Sequence, residues 1–214
     1  MTSHPFTPAE IHGVYRAIAE RRDMRHFLST PIDPEQLLRF IKAAHQGPSV
    51  GYMQPWRFVR ILDAQLRSDL YQHVNQERIR TAEALGERGS DFMALKVEGM
   101  LSCAEILVVG LTDQREKHIF GRRTMPEMDL ASAACAIQNF WLAARAEDIG
   151  VGWVSLFDPA YVRSRLGMPE GSQPIAILCV GHVDEFYPAP MLELEKWDTR
   201  RPLEHILFQD SWGG

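Results

Sequence analysis

Ile175-Ala176-Ile177-Leu178-Cys179-Val180 is an uninterrupted apolar run with turn residues at both ends. A short run of this kind is typical of a strand buried in the centre of a sheet. Ile106-Leu107-Val108-Val109 has the same character and predicts a second central strand. The alternating segment 57–62 predicts a third strand, and the segment 151–156 predicts a fourth. These four strands are expected to form the central sheet.

Helix start signals recur outside these strands. Thr7-Pro8-Ala9-Glu10 is a capping box with proline at the first helical position, and it predicts a helix that ends near Arg21. Asp33-Pro34 predicts a second helix, whose buried face should carry Leu37, Leu38, Ile41 and Ala44. A third helix near residues 127–147 should bury a stripe made of Leu130, Ala134, Ile137, Trp141 and Ala144. Residues 64–99 should be mostly helical, and residues from 193 onward should form an extended arm.

The composition bounds the class of protein. The chain is 45% hydrophobic and 24% charged, as in an ordinary globular protein, which excludes a disordered tail or a collagen-like fibre. It contains no repeat, low-complexity tract or linker, so residues 1–214 are predicted to form a single α+β domain. The net charge of −5 argues against nucleic acid as the main partner, because phosphate binding needs a basic surface.

Cysteines, motifs and termini add further expectations. Cys103, Cys135 and Cys179 are scattered and are predicted to be buried free thiols in a reducing compartment. The N-terminus lacks a signal-peptide pattern, and no apolar stretch approaches the ~18 residues that a membrane span needs. The sequence therefore predicts a cytoplasmic protein. Motifs for nucleotide phosphates, zinc hydrolases and serine hydrolases are absent, and the eight histidines are dispersed, so no metal site is predicted.

Arginines are concentrated in two places. Arg21-Arg22-Asp23-Met24-Arg25 follows the first helix, and Arg200-Arg201 lies near the C-terminus. Either group could be a solvated surface, and cations suit the C-terminal end of a helix. Alternatively, their planar guanidinium groups could bind phosphate oxygens through paired hydrogen bonds. The arginines alone leave both interpretations open.

Two further segments combine polar groups with compact backbone. The loop Pro48-Ser49-Val50-Gly51-Tyr52-Met53-Gln54-Pro55-Trp56 offers a hydroxyl, a glycine and an amide, and Gly150-Val151-Gly152-Trp153-Val154-Ser155 ends a strand in a serine. The loop 48–56 could be only a long turn with a packed tryptophan. The segment 150–155 could be only the end of a strand with a local cap. Loops held between rigid elements are also where binding sites tend to lie.

In this order, the four segments resemble those of the FMN-dependent nitroreductase superfamily. Its members carry an RRSxRxF-like segment, a PSxxNxQPW-like loop, a GxGW-like strand and an RxPLE-like arm, which match residues 21–27, 48–56, 150–153 and 200–204. The resemblance implies a mostly antiparallel sheet flanked by helices. It also implies an intertwined homodimer that holds two FMN molecules at its interface and exchanges its C-terminal arms.

Asp23 and Tyr52 depart from the common pattern, because most members have a small hydroxyl residue at the first position and many have asparagine at the second. With these residues, the segments 22–27, 48–56 and 152–155 together resemble a branch that breaks reduced FMN (FMNH2) with dioxygen. The products are erythrose 4-phosphate and 5,6-dimethylbenzimidazole, the lower ligand of vitamin B12 made for cobalamin biosynthesis. The resemblance implies an oxidoreductase supplied with FMNH2 by a separate NAD(P)H-dependent flavin reductase.

The same resemblance implies the site residues. Asp23 is the candidate base for cutting the ribityl chain, because it is the only carboxylate in its segment, and Ser155 is the candidate for positioning dioxygen. The flanking arginines should keep Asp23 ionised, while burial opposes this. The predicted FMN contacts are Arg21, Arg22, Asp23, Met24, Arg25, Pro48, Ser49, Gly51, Met53, Gln54, Leu95, Trp153, Val154, Ser155, Arg200 and Arg201.

Two other functions fit these residues. An ordinary NAD(P)H-dependent nitroreductase or flavin reductase is favoured if Asp23 serves only as a salt-bridge partner. A flavin-binding carrier or sensor without catalysis is favoured if the site lies open to solvent.

Overall fold

The computed structural model describes residues 5–94 and 99–212. Four strands form an open antiparallel sheet in the order β1-β2-β4-β3. They are β1 (Trp56–Arg60), β2 (Glu105–Leu111), β3 (Ile149–Val154) and β4 (Gln173–His182). The two apolar runs are the central strands, as predicted, and every residue of β2 is buried. The predicted antiparallel sheet flanked by helices is confirmed.

The bounds predicted for β3 were wrong by two residues at each end. The strand starts at Ile149 because Asp148, in a left-handed conformation with φ of 57°, turns the chain directly from the preceding helix into the sheet. It ends at Val154 because the Ser155 carbonyl accepts a hydrogen bond from the Phe157 amide at 3.1 Å, which turns the chain away. Ser155 therefore lies just beyond the strand.

Helices cover both faces of the sheet. They are α1 (Pro8–Glu20), α2 (Pro34–His45), α3 (Ala64–Ala84), α4 (Gly89–Ala94), α5 (Gly99–Ser102), α6 (Met128–Ala146), α7 (Pro159–Arg165) and α8 (Met191–Leu194). Alternate residues of β2 and β4 pack against α2 and α6 on one face and against α3 and α7 on the other. The capping box at Thr7 and Glu10 is present as predicted.

The buried stripe of α6 differs from the predicted one. Ile137, Trp141 and Ala144 are buried as predicted, but Leu130 is 45% exposed and Ala134 is only half-buried. The helix is buried by both α2 and the sheet, so its inner face is centred on Phe140, which contacts Phe40 and Phe58. The same packing makes Phe40 a core residue of α2 and leaves Leu38 50% exposed.

Several large apolar side chains on the outer surface are exposed. No residue of α1 is buried, although its apolar side chains recur at helical spacing. The C-terminal arm is likewise exposed from Leu203 to Trp212, and its first turn, Leu203–His205, is a 3-10 helix. Cys103 and Cys179 are buried free thiols as predicted. Cys135 is also a free thiol, but its predicted burial was wrong, because it lies on the exposed side of α6.

Candidate active site

Residues 21–25 leave α1 and run along the free edge of β3. The Met24 amide donates a hydrogen bond to the Val151 carbonyl at 3.0 Å. Glycine at 152 permits this approach, because a Cβ there would lie 2.3 Å from the Met24 carbonyl oxygen. Met24 itself is buried in the core. The arginine-rich segment and the GxGW-like strand are therefore neighbours in space, although they lie more than 120 residues apart.

The Asp23 carboxylate is held from two sides. Its Oδ2 accepts a hydrogen bond from Arg25 Nη2 at 2.5 Å, and its Oδ1 accepts one from the Trp153 amide at 2.8 Å. Burial raises the pKa of Asp23, against the opposing effects of Arg25, the Trp153 amide and Arg21. The sequence predicted that the arginines would lower the pKa of Asp23 and that burial would raise it, and the effect of burial is the larger. The Asp23 side chain still has 36% of its surface exposed.

Asp23 lies at the wall of a cleft of about 310 Å³. Arg25, Trp153, Val154 and Ser155 line the same cleft, so the structure brings five predicted site residues together. The remaining walls are Arg78 and the apolar side chains of Phe92, Leu156, Met191, Leu192 and Trp197. An apolar cleft with a few polar groups on one wall suits a flat, largely apolar ring system.

A smaller pocket of about 190 Å³ adjoins the cleft and shares Asp23, Met191 and Leu192 with it. Arg21, Arg22 and Arg200 also line this pocket. Burial, together with the charges of Arg22 and Arg200, lowers the pKa of Arg21. Such crowding of cations favours an anion between them. The pocket therefore fits a phosphate group.

The arginines of the first segment have different surroundings. The Arg22 guanidinium donates to the carbonyls of Tyr187 and Pro188 and to two carbonyls near the end of α1. The Arg21 guanidinium stacks on the Trp141 ring at 4.6 Å and makes no such set of backbone contacts. Arg25 lines the cleft rather than the small pocket. Arg21 and Arg200 are therefore the better candidates for holding a phosphate.

The loop 48–54 lies elsewhere. It packs on the N-terminal part of α6, where the Val50 amide donates to Ser132 Oγ at 3.0 Å, and neither the cleft nor the small pocket has a lining residue from it. Tyr52 and Gln54 have φ values of 54° and 50°, which are strained for residues other than glycine. The predicted contacts that line neither cavity are Met24, which is buried in the core, and Pro48, Ser49, Gly51, Met53, Gln54 and Arg201. Leu95 lies outside the described residues.

Several residues that line the cleft carry no recognisable signal in the sequence. Arg78 is a single buried arginine within the polar helix α3, and no motif singles it out. Met191, Leu192 and Trp197 belong to the C-terminal region, which has no periodicity. The one available signal was Trp197, a tryptophan in a polar segment. In the structure the Arg88 guanidinium stacks on the Trp197 ring at 3.7 Å.

Residues 5–94 and 99–212 offer neither a metal-ligand cluster nor a membrane-spanning helix. Histidine, cysteine and acidic side chains form no group of three or more that could hold a metal ion there. No helix of those ranges is both long enough and apolar enough to cross a membrane.

The sheet, the arginine segment on the edge of β3 and the adjoining cleft define the class of protein. The family model described as the nitroreductase family matches residues 18–182. The chain therefore belongs to the nitroreductase family, and the predicted family, fold and oxidoreductase class are confirmed.

Individual proteins similar to this chain carry more specific names than the family does. The chain is 39% identical over 200 residues to a protein of Rhodospirillum rubrum named 5,6-dimethylbenzimidazole synthase, covering 92% of this chain and 94% of the relative. It is 34% identical over 186 residues to a Rhodobacter capsulatus protein of the same name, covering 86% and 90%. A solved structure described as a BluB-like flavoprotein from Clostridium difficile aligns with a TM-score of 0.69 and 17% identity, covering 92% and 99%.

Proposed function

We propose that the chain fragments reduced FMN with dioxygen to give 5,6-dimethylbenzimidazole and erythrose 4-phosphate, while the pyrimidine part of the flavin ring leaves as a third fragment. The observation that carries this proposal is the place of Asp23, whose carboxylate lies where the arginine-lined pocket meets the apolar cleft. The fit to FMN rests on the same two cavities. Arg21 and Arg200 would hold its phosphate, the cleft would take its ring system, and Asp23 would lie beside the ribityl chain that connects them. The names of the two bacterial relatives support this function.

When bound, reduced FMN supplies both the electrons that dioxygen takes up and the carbon atoms of the product. Asp23 would accept a proton from a ribityl hydroxyl. Arg25 and the Trp153 amide hold the carboxylate in place for this step. The hydroxyl of Ser155, at the same cleft, would donate a hydrogen bond to oxygen. The apolar side chains of Phe92, Leu156 and Trp197 would exclude water from the ring.

We further propose that residues 1–214 form a single domain that works as a homodimer with exchanged C-terminal arms. The exposed apolar residues of α1 and of the arm support an interface, because a monomer rarely leaves such surfaces uncovered. The strained loop 48–54 supports it independently, since it bears predicted contacts yet lies away from the cleft of its own chain. In a dimer, this loop would complete the site of the partner copy. A separate flavin reductase would supply FMNH2.

An NAD(P)H-dependent nitroreductase or flavin reductase is the second candidate, and one observation favours it. Asp23 already forms an ion pair with Arg25, and a carboxylate that only braces an arginine has no catalytic duty. The partial exposure of Asp23 and its place beside the small pocket favour the first proposal, because a bracing group need not face a ligand.

The deciding experiment is a single turnover with reduced flavin. The purified protein is loaded with FMNH2 without oxygen, exposed to air, and its products are separated by chromatography. We expect 5,6-dimethylbenzimidazole and erythrose 4-phosphate in equal amounts. A parallel assay supplies NAD(P)H and a nitroaromatic compound. Steady reduction of the nitroaromatic without any benzimidazole would establish the reductase instead, and intact oxidised FMN with neither activity would establish a carrier.

A further inference from the structure

A short segment that follows β4 holds the Asp23 region in place. The Tyr187 hydroxyl accepts a hydrogen bond from the Arg25 amide at 3.2 Å and lies 2.7 Å from His26 Nδ1. The Tyr187 side chain therefore contacts the two residues that directly follow Met24. Tyr187 does not line the cleft or the small pocket, and no sequence motif indicated it.

The contact is reciprocal. Arg22 Nε donates to the Tyr187 carbonyl at 3.0 Å, and Arg22 Nη2 donates to the Pro188 carbonyl at 3.1 Å. Each segment thus uses a side chain to bind the backbone of the other. Asp23 lies between these two attachment points, which are the Arg22 side chain on one side and the Arg25 backbone amide on the other.

The same segment leads into a wall of both cavities. Met191 and Leu192 follow Pro188 by only a few residues and line the cleft as well as the small pocket. The position of Asp23 is therefore fixed relative to the wall that it faces, because both are tied to residues 187 and 188. A catalytic group must be held to within a fraction of an ångström of its productive geometry, and such supporting contacts supply that restraint.

We propose that Tyr187 is a positioning residue, which holds the Arg25 backbone so that the Arg25 side chain keeps the Asp23 carboxylate at the junction of the two cavities. The role in catalysis rests on the proposed function of Asp23. Tyr187 contacts neither cavity and acts through Arg25. Its hydroxyl is the group that matters, since the Arg25 amide donates to it.

The first test is amide hydrogen exchange in the ligand-free protein. Tyr187→Phe removes the hydroxyl and keeps the ring, so the Arg25 amide should exchange about tenfold faster, the factor that corresponds to one typical hydrogen bond. Amides of β4 should be unchanged, which excludes global destabilisation. Tyr161→Phe is the matched control, because the Tyr161 ring stacks on His73 and lines neither cavity, and it should leave the Arg25 amide unchanged. Unchanged exchange in Tyr187→Phe would overturn the proposal.

The second test separates positioning from binding. With FMNH2 and air, Tyr187→Phe should form the benzimidazole about tenfold more slowly, while its FMN affinity stays within about twofold of the original. An equal loss of affinity and rate would overturn the positioning role and leave a merely structural contact. Failure of the proposed function gives a different result: Asp23→Asn would then retain the full product yield, and the exchange measurement would still decide whether Tyr187 holds the Arg25 backbone.

Discussion

The arginine segment 21–25 and the loop 48–54 resemble the same family in sequence, yet the structure treats them differently. The first lies on the edge of β3, and its side chains line the cleft and the small pocket. The second is braced on α6 by Ser132, with Tyr52 83% exposed and in a left-handed conformation. The segment 21–25 lines both cavities of its own chain, whereas the loop 48–54 has strained backbone and an exposed aromatic ring away from them. This difference is what the proposed homodimer would explain, because the two segments would then contribute to one site from different copies of the chain.

The largest expected effect is confined to the first region. Asp23→Asn keeps the size of the side chain and removes its basicity, so benzimidazole formation should fall by ~10²–10⁴-fold, as is typical when a general base is lost. FMN should still bind, and oxidised FMN should accumulate after exposure to air. Product yield and flavin affinity are measured on the same samples. Asp148→Asn is the control, because its side chain is 86% exposed and lines neither the cleft nor the small pocket.

Mixing two inactive variants tests whether the segment 21–25 and the loop 48–54 serve sites in different copies of the chain. Gly51→Ala should displace the loop, since Gly51 has φ of 52° and a Cβ there would lie 2.8 Å from the Phe120 carbonyl oxygen. Mixed dimers of Asp23→Asn and Gly51→Ala chains would contain one intact site if the loop serves the partner. An equal mixture should therefore recover about a quarter of the original activity, because half of the dimers are mixed and each has one working site of two. No recovery on mixing would show that both segments serve the same chain.

A smaller effect distinguishes the two arginines of the arm. Arg200 lines the small pocket and Arg201 does not. Arg200→Ala should weaken FMN binding by about tenfold, which is the loss expected for one charge-assisted hydrogen bond to phosphate, whereas Arg201→Ala should change it by less than about twofold. Flavin fluorescence quenching measures both affinities. Equal losses in the two variants would remove the small pocket as the phosphate site.

The smallest expected effect is a shift of the pH profile. The ordinary pKa of an aspartate is 3.8, and burial raises the pKa of Asp23 above that value. Asp23 accepts a proton only when ionised, so activity should be present above its folded pKa and should be lost as the pH falls through it. The acid limb of benzimidazole formation should therefore lie above pH 3.8 in the active protein. A limb at or below the ordinary value would contradict the role of Asp23 as the base.

Parts of the fold were predictable because their causes are local. The central strands follow from apolar runs, and the start of α1 follows from the capping box at Thr7. The inner face of α6 was only partly predictable, because burial by two neighbours at once centres it on Phe140 and leaves Leu130 exposed. Periodicity identifies one apolar stripe, but it does not show how many elements will cover a helix.

The sequence by itself determined the family, the four strands and the segment that carries Asp23, since short motifs and apolar runs are properties of neighbouring residues. The tertiary structure alone decided which residues meet. It brought Trp153 to Asp23, Arg200 to Arg21 and Tyr187 to Arg25, and it left the loop 48–54 apart from them. It also decided the direction in which the pKa of Asp23 shifts, because the burial of the carboxylate and its distance from the guanidinium groups depend on packing between distant segments. A catalytic site is defined by distances in space, and the order of residues along the chain does not fix those distances until the chain folds.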